Sequence, residues 1–354
     1  MPEKIVDQVA PSTGRVIRSR APLRLGLAGG GTDLSPYADE HGGVVVNVTI
    51  DRFCYANLAE RVDGQLHFEA ADHQRSALVD VDGPLPFDVL PLHAGVYDRV
   101  HREFDLPRTA VALSTFSDVP AGSGLGGSST LVVAMLEAFR EFYSLPLDDY
   151  ELANLAWSIE REDLGLAGGR QDQFAAVFGG FNVMEFGAAG HSLVQPLRLK
   201  EATVRELEAS LILYFTGTTR ESATVVSSQA SNLRSGNADT LAATHQLKAE
   251  ALAVKEALLR GNLDALASSV ERGWLAKKAT SQGVSTSEIE RVRQVAIEAG
   301  ALTGKISGGG GGGFIWFLVD PTKRPAVLRA LEAEPGYFDF CHFTQQGVVS
   351  WTVR

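Results

Sequence analysis

Pro120-Ala-Gly-Ser-Gly-Leu-Gly-Gly-Ser-Ser129 places four glycines and three serines directly ahead of an amphipathic stretch. A loop so poor in bulky side chains can turn several backbone N–H groups toward one point. The helix behind it adds the positive end of its dipole. The chemistry this suits is the binding of an anion, a phosphate above all. A second glycine cluster follows Lys305-Ile-Ser307 as six consecutive glycines, Gly308–Gly313, and a tight loop runs from Gly165 to Asp172.

Two familiar phosphate patterns fit the first loop only in part. Gly122, Gly124 and Gly127 match G-x-G-x-x-G, which would imply a dinucleotide and hydride transfer. That pattern needs an N-terminal strand–helix–strand unit and an acidic residue about 20 positions on, and nothing beyond Glu141 is suitably placed. The nucleotide-binding pattern G-x-x-x-x-G-K-S/T fits Gly122 and Gly127, but Ser128 stands where the lysine belongs.

The elements that must hold these loops can be read from periodicity. Residues 15–27 are extended, with Pro22 arguing for a sheet edge or a break. Residues 44–60 and 65–70 are strands, 92–104 carries an apolar residue every fourth position and is a helix, and 109–116 is a strand leading into the glycine loop. Ser128–Tyr143 and residues 148–163 are helices, and 174–186 returns to the sheet. After a break at Gly187–Gly190, residues 208–216 form an apolar strand, 221–300 is mostly helical, and Phe314–Val319 is a strand. This is an α/β chain of two domains, 1–194 and 195–354.

Composition limits the function. The chain has 354 residues, 45% of them hydrophobic, and a formal net charge of −11. Such a chain supports a sizeable core and lacks the basic face that nucleic acids or anionic membranes require. Two cysteines, Cys54 and Cys341, make neither a metal-ligand spacing nor a disulfide framework. The N-terminus has no signal-peptide pattern and no run is apolar enough to span a bilayer, so a cytoplasmic protein is expected.

Taken together, four segments in order resemble the GHMP small-molecule kinases: Arg20-Ala-Pro-Leu-Arg24 through Gly29-Gly-Gly-Thr-Asp33, the Pro120–Ser129 loop, Gly169-Arg-Gln-Asp-Gln173, and Lys305–Gly313. The resemblance implies a ribosomal-protein-S5-like N-terminal domain, a ferredoxin-like C-terminal domain and a site between them. It implies ATP and Mg²⁺. Pro120, Gly122, Ser123, Gly124, Leu125, Gly126, Gly127, Ser128 and Ser129 would form the nucleotide cradle, Leu125 packing beneath it, with Gly309, Gly310 and Gly311 closing over the phosphates. Asp172 would be the general base with Arg24 beside it. Ser128 would face the metal with Glu160, although Glu162 also fits the spacing.

Within the family, Arg20–Leu34, Ser158–Gly165, Gly168–Ala176 and Tyr214–Ser222 resemble kinases of D-glycero-D-manno-heptose 7-phosphate, which act on the anomeric hydroxyl. Gly30, Gly31, Thr32 and Asp33 would bind the sugar. Arg220, with Lys277-Lys278 in reserve, would meet its phosphate. The resemblance leaves open another sugar as acceptor (fucose, galactose or an N-acetylhexosamine) or a non-catalytic sensor of sugar and ATP. A monomer or homodimer is expected, with a small phosphorylated sugar and ATP as the partners.

Overall fold

The computed structural model describes residues 14–218 and 222–353. In chain order the first part comprises β1 (Val16–Ala28), α1 (Tyr37–His41), β2 (Gly43–Glu60), β3 (Gln65–Ala70), β4 (Arg75–Asp80), α2 (Pro91–Glu103), β5 (Val111–Ser117), α3 (Gly127–Tyr143), α4 (Asp149–Ser158), α5 (Gln171–Phe178), β6 (Phe181–Phe186) and β7 (Ser192–Pro196). The second comprises α6 (Glu201–Ser210), β8 (Leu211–Phe215), α7 (Ser222–Arg234), α8 (Ala238–Arg260), α9 (Leu263–Thr280), α10 (Ser287–Glu298), β9 (Ala301–Ile306), β10 (Phe314–Val319), α11 (Arg324–Leu331), β11 (Tyr337–Asp339) and β12 (Val349–Val353).

Two sheets organise these elements. The larger runs β12-β1-β2-β5-β3-β4, with β6 and β7 continuing from β2, and the smaller runs β11-β8-β10-β9. Only the β3–β5 pairing is parallel among the pairings described. The last strand, β12, crosses back to pair with Val16–Arg20 of β1, so a division at 194/195 cuts β7 and leaves β12 of the first sheet in the second part.

The burial of β1 follows from what covers it. Its first half alternates because one face is open to solvent; from Ala21 to Ala28 every residue is buried. There Leu23, Leu25 and Leu27 join a core with Ala251 and Val254 of α8, Val270 of α9, and Phe215, Phe314 and Trp316 of the second sheet. The two parts of the chain therefore share apolar contacts behind the site rather than meeting across a polar seam.

One local expectation holds and two change. Pro22 marks a break: β1 lies between β12 and β2 over Val16–Arg20, the β12 pairing stops at Arg20, and a bulge follows between Pro22 and Arg24. Proline has no N–H for the ladder, and a bulge is where it is tolerated. Residues 174–186 do not return directly to the sheet, because α5 forms before β6. Its start is capped from far away: Asp33 Oδ2 accepts the backbone N–H groups of Arg170 and Gln171 at 2.9 and 3.1 Å. Finally, residues 208–210 close a helix, α6, and only Leu211–Phe215 is strand.

Candidate active site

The glycine loop ends in α3, whose first residue, Gly127, follows Gly126 at φ 85° with no side-chain cap. The N–H of Thr130 bonds to Gly126 O, so the N–H groups of Gly127, Ser128 and Ser129 precede the helical ladder. All three residues line a cavity of about 460 Å³, together with Gly122, Ser123, Gly124 and Gly126. Pro120 lies outside that lining. Leu125 is also outside it, fully buried beneath the loop, and its carbonyl accepts the N–H of Arg24 at 3.1 Å.

The second glycine cluster contributes less to the cavity than the sequence suggests. Gly308 and Gly309 line it; Gly310 and Gly311 do not. Gly311 N–H bonds to Val284 O at 3.0 Å, and a Cβ on Gly310 would stand 2.5 Å from that same oxygen. The remaining glycines let the two loops touch backbone to backbone. A Cβ on Gly124 would stand 2.4 Å from Ser307 O, and one on Gly308 would stand 2.6 Å from Gly124 O. Phe314 N–H bonds to Ser123 O at 2.9 Å.

Arg24 and Asp172 meet on the cavity wall. Arg24 Nε donates to Asp172 Oδ1 at 2.7 Å, and Nη2 lies 2.7 Å from the same oxygen. Arg24 Nη1 donates to Gly124 O at 2.7 Å and to Ser307 Oγ at 3.2 Å, so one guanidinium ties both glycine loops to the aspartate. Arg24 is only 3% exposed. Its place follows from the bulge after Pro22, which re-aims the strand next to it. Opposite, a Cβ on Gly126 would crowd Asp172 Oδ2 at 3.3 Å, so glycine there leaves the carboxylate its space.

Glu160 sits in a single wide π-helical turn, Ile159–Asp163, that continues α4. It is 1% exposed. Its Oε1 accepts Ser128 Oγ at 2.8 Å, and its Oε2 accepts Gln173 Nε2 at 2.5 Å. Gln173 also donates to Ser129 Oγ at 3.0 Å. The two serines thus divide: Ser128 is exposed at the cavity, while Ser129 is buried against Gln173. Between the two glutamates that the spacing allows, Glu160 lines the cavity and Glu162 is exposed outside it.

The segment expected to hold the sugar divides in the same way. Gly30, Gly31 and Asp33 line the cavity. Thr32 does not; it is fully buried, and its hydroxyl donates to Val44 O at 2.8 Å and accepts Val44 N–H at 3.0 Å. Its side chain fastens the loop to β2 and has no hydrogen-bonding capacity facing a ligand. Asp33 is largely engaged by backbone, taking Gly31 N–H on Oδ1 at 3.0 Å besides its two bonds to α5. Gly169 must be glycine for this, since a Cβ there would stand 1.9 Å from Asp33 Oδ2.

Cations complete the wall. Lys277 reaches from α9 to donate to Gly30 O and to Gln229 Oε1, each at 3.0 Å. Burial lowers its pKa to about 8, partly offset by the charge of Asp33. Lys305 donates to Gly26 O at 2.9 Å, and burial, then the positive charges of Lys277 and Arg24, lower its pKa to about 7. Lys278 turns away to Glu290 at 3.2 Å. Arg220 lies outside the described residues. The sequence reading gave no role to Arg161, Gln171 or Ser307. The first two line the cavity and Ser307 ties the loops together; Gln171 and Ser307 owe their places to partners distant in the chain, while Arg161 is held within its own segment by Leu166 O and Gly169 O.

This arrangement can bind a polyphosphate against free N–H groups, hold a hard cation at Ser128 and Glu160, and present a carboxylate to a hydroxyl. Residues 91–180 match the GHMP kinases N terminal domain, and residues 254–337 match GHMP kinases C terminal. The D-glycero-alpha-D-manno-heptose 7-phosphate kinase of Campylobacter jejuni is 44% identical over 345 residues, covering 96% of this chain and 100% of that protein. A crystal structure of a D-glycero-D-manno-heptose 1-phosphate kinase from Bacteroides thetaiotaomicron superposes with a TM-score of 0.81 at 41% identity, covering 96% of this chain and 99% of the other. Lactococcus lactis galactokinase, at 18% identity and a TM-score of 0.75, shares the fold. The kinship runs nearly from end to end and does not rest on a glycine loop alone: the chain belongs to the GHMP kinase family.

Proposed function

We propose that this chain transfers the γ-phosphoryl group of ATP to the anomeric hydroxyl of D-glycero-D-manno-heptose 7-phosphate. As a GHMP kinase it takes the phosphoryl group from ATP. The observation that carries the reading is the pairing of Asp172 with Arg24 at 2.7 Å in the cavity whose other wall is the 122–129 loop. Phosphoryl transfer is mostly positioning and charge neutralisation, and those parts supply both. In this reading the loop N–H groups hold the phosphates. Asp172 accepts the proton of the attacking hydroxyl, and Arg24 fixes the carboxylate and sets a positive charge beside the moving group.

Ser128 Oγ and Glu160 Oε1, 2.8 Å apart, are hard oxygen donors; among the described residues Glu160 Oε2 takes only a neutral amide, and the one charge near Oε1, Arg161 Nη1, stands off at 3.8 Å, so the buried carboxylate suits a cation. These two residues would hold Mg²⁺. Among the described residues no three His, Cys, Asp or Glu side chains gather to hold a metal unaided, so nucleotide phosphate oxygens and water would complete the shell. When bound, the cation neutralises charge on the phosphates.

The acceptor follows from the Campylobacter jejuni relative, with support from Lys277. That ammonium is buried on the cavity wall and, among the described residues, has only neutral oxygen partners. A phosphate on the acceptor would supply the missing charge. The names of the two relatives differ in the phosphate they mention, and an ADP-release assay separates them. Heptose 7-phosphate, heptose 1-phosphate, mannose 6-phosphate, sedoheptulose 7-phosphate, fucose, galactose and N-acetylhexosamines are offered side by side. The reading requires the highest kcat/KM for heptose 7-phosphate; preference for an unphosphorylated sugar overturns it.

A further inference from the structure

Gln171 stands between Asp172 and the Gly30 backbone, and the reaction as described makes no use of its side chain. Its backbone N–H is fixed by Asp33 at 3.1 Å, so the side chain leaves a firm point in the first turn of α5. It lines the cavity and lies over the strand that leads into the sugar loop. A Cβ on Gly30 would stand 3.5 Å from Gln171 Nε2, and one on Gly26 would stand 3.9 Å from Oε1. Gln171 Oε1 is fully buried, and no donor reaches it among the described residues.

Buried carbonyls without a donor are rare and unfavourable, and an amide with no bond holding its oxygen can turn into the cavity that its residue lines, where a ligand can donate to it. The donors of this region bond to other acceptors, and none lies within hydrogen-bond reach of Gln171 Oε1 among the described residues. Lys277 Nζ serves Gly30 O and Gln229. Lys305 Nζ and Trp316 Nε1 serve Gly26 O. Arg24 serves Asp172, Gly124 O and Ser307. Phosphate oxygens do not donate, so the triphosphate cannot fill the gap. A sugar hydroxyl can.

We infer that Gln171 reads the acceptor: with its amide turned from the buried resting position into the cavity, Oε1 accepts from the hydroxyl next to the one that Asp172 serves, and Nε2 donates to the same sugar. A primary amide offers an acceptor and donors in one plane, which suits a pair of neighbouring hydroxyls. Selection is strong in such a site, because an acceptor lacking the hydroxyl leaves the amide oxygen buried and unpaired. This rests on the proposed reaction only in that the acceptor is a polyhydroxylated sugar; it does not depend on which sugar.

The test is a kinetic cycle on the full chain, with wild type and Gln171→Met, using the acceptor that wild type turns over best in the ADP-release assay. Its analogue deoxygenated at the carbon next to the reacting one is the second substrate. Wild type should lose about tenfold or more in kcat/KM on the deoxy acceptor, the scale of a hydrogen bond left unmade. Gln171→Met should raise the acceptor KM about tenfold, keep the KM for ATP within about twofold, and show little further loss on the deoxy acceptor. Its melting temperature should not fall, because the amide oxygen has no partner in the free chain. Equal deoxy penalties in both proteins, or a lower melting temperature with both KM values raised, would overturn the assignment. Gln171→Asn, which keeps the amide but withdraws it by one methylene, should give the same acceptor defect should the methionine variant fail to fold. A wild type indifferent to the missing hydroxyl sinks the proposal alone. Activity confined to a sugar other than the heptose phosphate would overturn the proposed acceptor and leave this cycle to be run on that sugar.

Discussion

The carboxylate of Asp33 accepts the backbone N–H of Gln171 at 3.1 Å, joining the loop after β1 to the helix that carries Asp172. The aspartate that the sequence suggests as a sugar ligand is first of all the cap of the helix bearing the proposed base. Asp33→Ala should therefore cost about 1–2 kcal/mol, the scale of a lost helix cap, and lower kcat as well, since the first turn of α5 would loosen. Denaturant midpoints and steady-state kinetics measure both effects. A variant with normal stability and only a raised acceptor KM would return Asp33 to the role of a simple sugar ligand.

Asp172→Asn keeps the shape of the site and removes the proton acceptor. Turnover should fall at least about a hundredfold, the usual scale for a proton-transfer group, with the KM for ATP little changed. Near-normal turnover would mean that the carboxylate only orients the hydroxyl.

Ser128 and Ser129 adjoin in sequence but differ in surroundings. Ser128→Ala removes a cavity-facing oxygen and should raise the Mg²⁺ concentration needed for half-maximal rate several-fold, without a large change in melting temperature. Ser129→Ala removes a buried hydroxyl that accepts from Gln173, so its effect should fall on stability, by about 1 kcal/mol. Titrating Mg²⁺ against rate in both variants tests the division. Equal Mg²⁺ dependence in the two would argue against Ser128 as a metal ligand.

Lys305 and Lys277 give the fold a pH dependence of definite sign. Their pKa values in the fold, about 7 and about 8, lie below the ordinary lysine value of 10.5. Between about pH 7 and that value the unfolded chain binds more protons than the folded one, so stability rises with pH through the window; below it both states carry the charged lysines and their contribution no longer changes with pH. Lys305→Met should flatten the rise, and Gly26 O would keep a donor in Trp316 Nε1 at 3.3 Å. Melting temperatures from pH 6 to 9 for both proteins decide it; parallel curves would exclude Lys305 as a source.

Lys277 lines the cavity and Lys278 pairs with Glu290, so only the first should affect the acceptor. Lys277→Met should raise the KM for a phosphorylated sugar well above any change for ATP, and Lys278→Met should leave both nearly unaltered. Arg220→Ala is the companion variant. An unchanged acceptor KM in both Lys277→Met and Arg220→Ala would leave the sugar phosphate without its proposed cations.

Long periodic elements, β1, β2, α3 and the helices after 221, were legible in the sequence because their burial repeats along the chain. So were Arg24, Asp172, Glu160 and the cavity-lining glycines, since motif order carries them. What could not be read were roles fixed by distant partners. Thr32 and Asp33 stand in one motif, yet one hydroxyl is consumed by Val44 and the carboxylate caps α5. Gly310 and Gly311 belong to the same glycine run as Gly309 but pack against Val284. The start of α5 has no local cap to announce it. The orphaned oxygen of Gln171 emerges only once every neighbouring donor is accounted for.

The pairing of β12 with β1 orders events during synthesis. The strand that carries Arg24 leaves the ribosome long before the segment covering its outer edge, Val349–Val353. Until then Val16–Arg20 presents an unpaired edge that another strand, including one from a neighbouring nascent chain, can occupy. Completion of the first sheet, and with it a settled support for the strand that carries Arg24, must await the emergence of Val349–Val353.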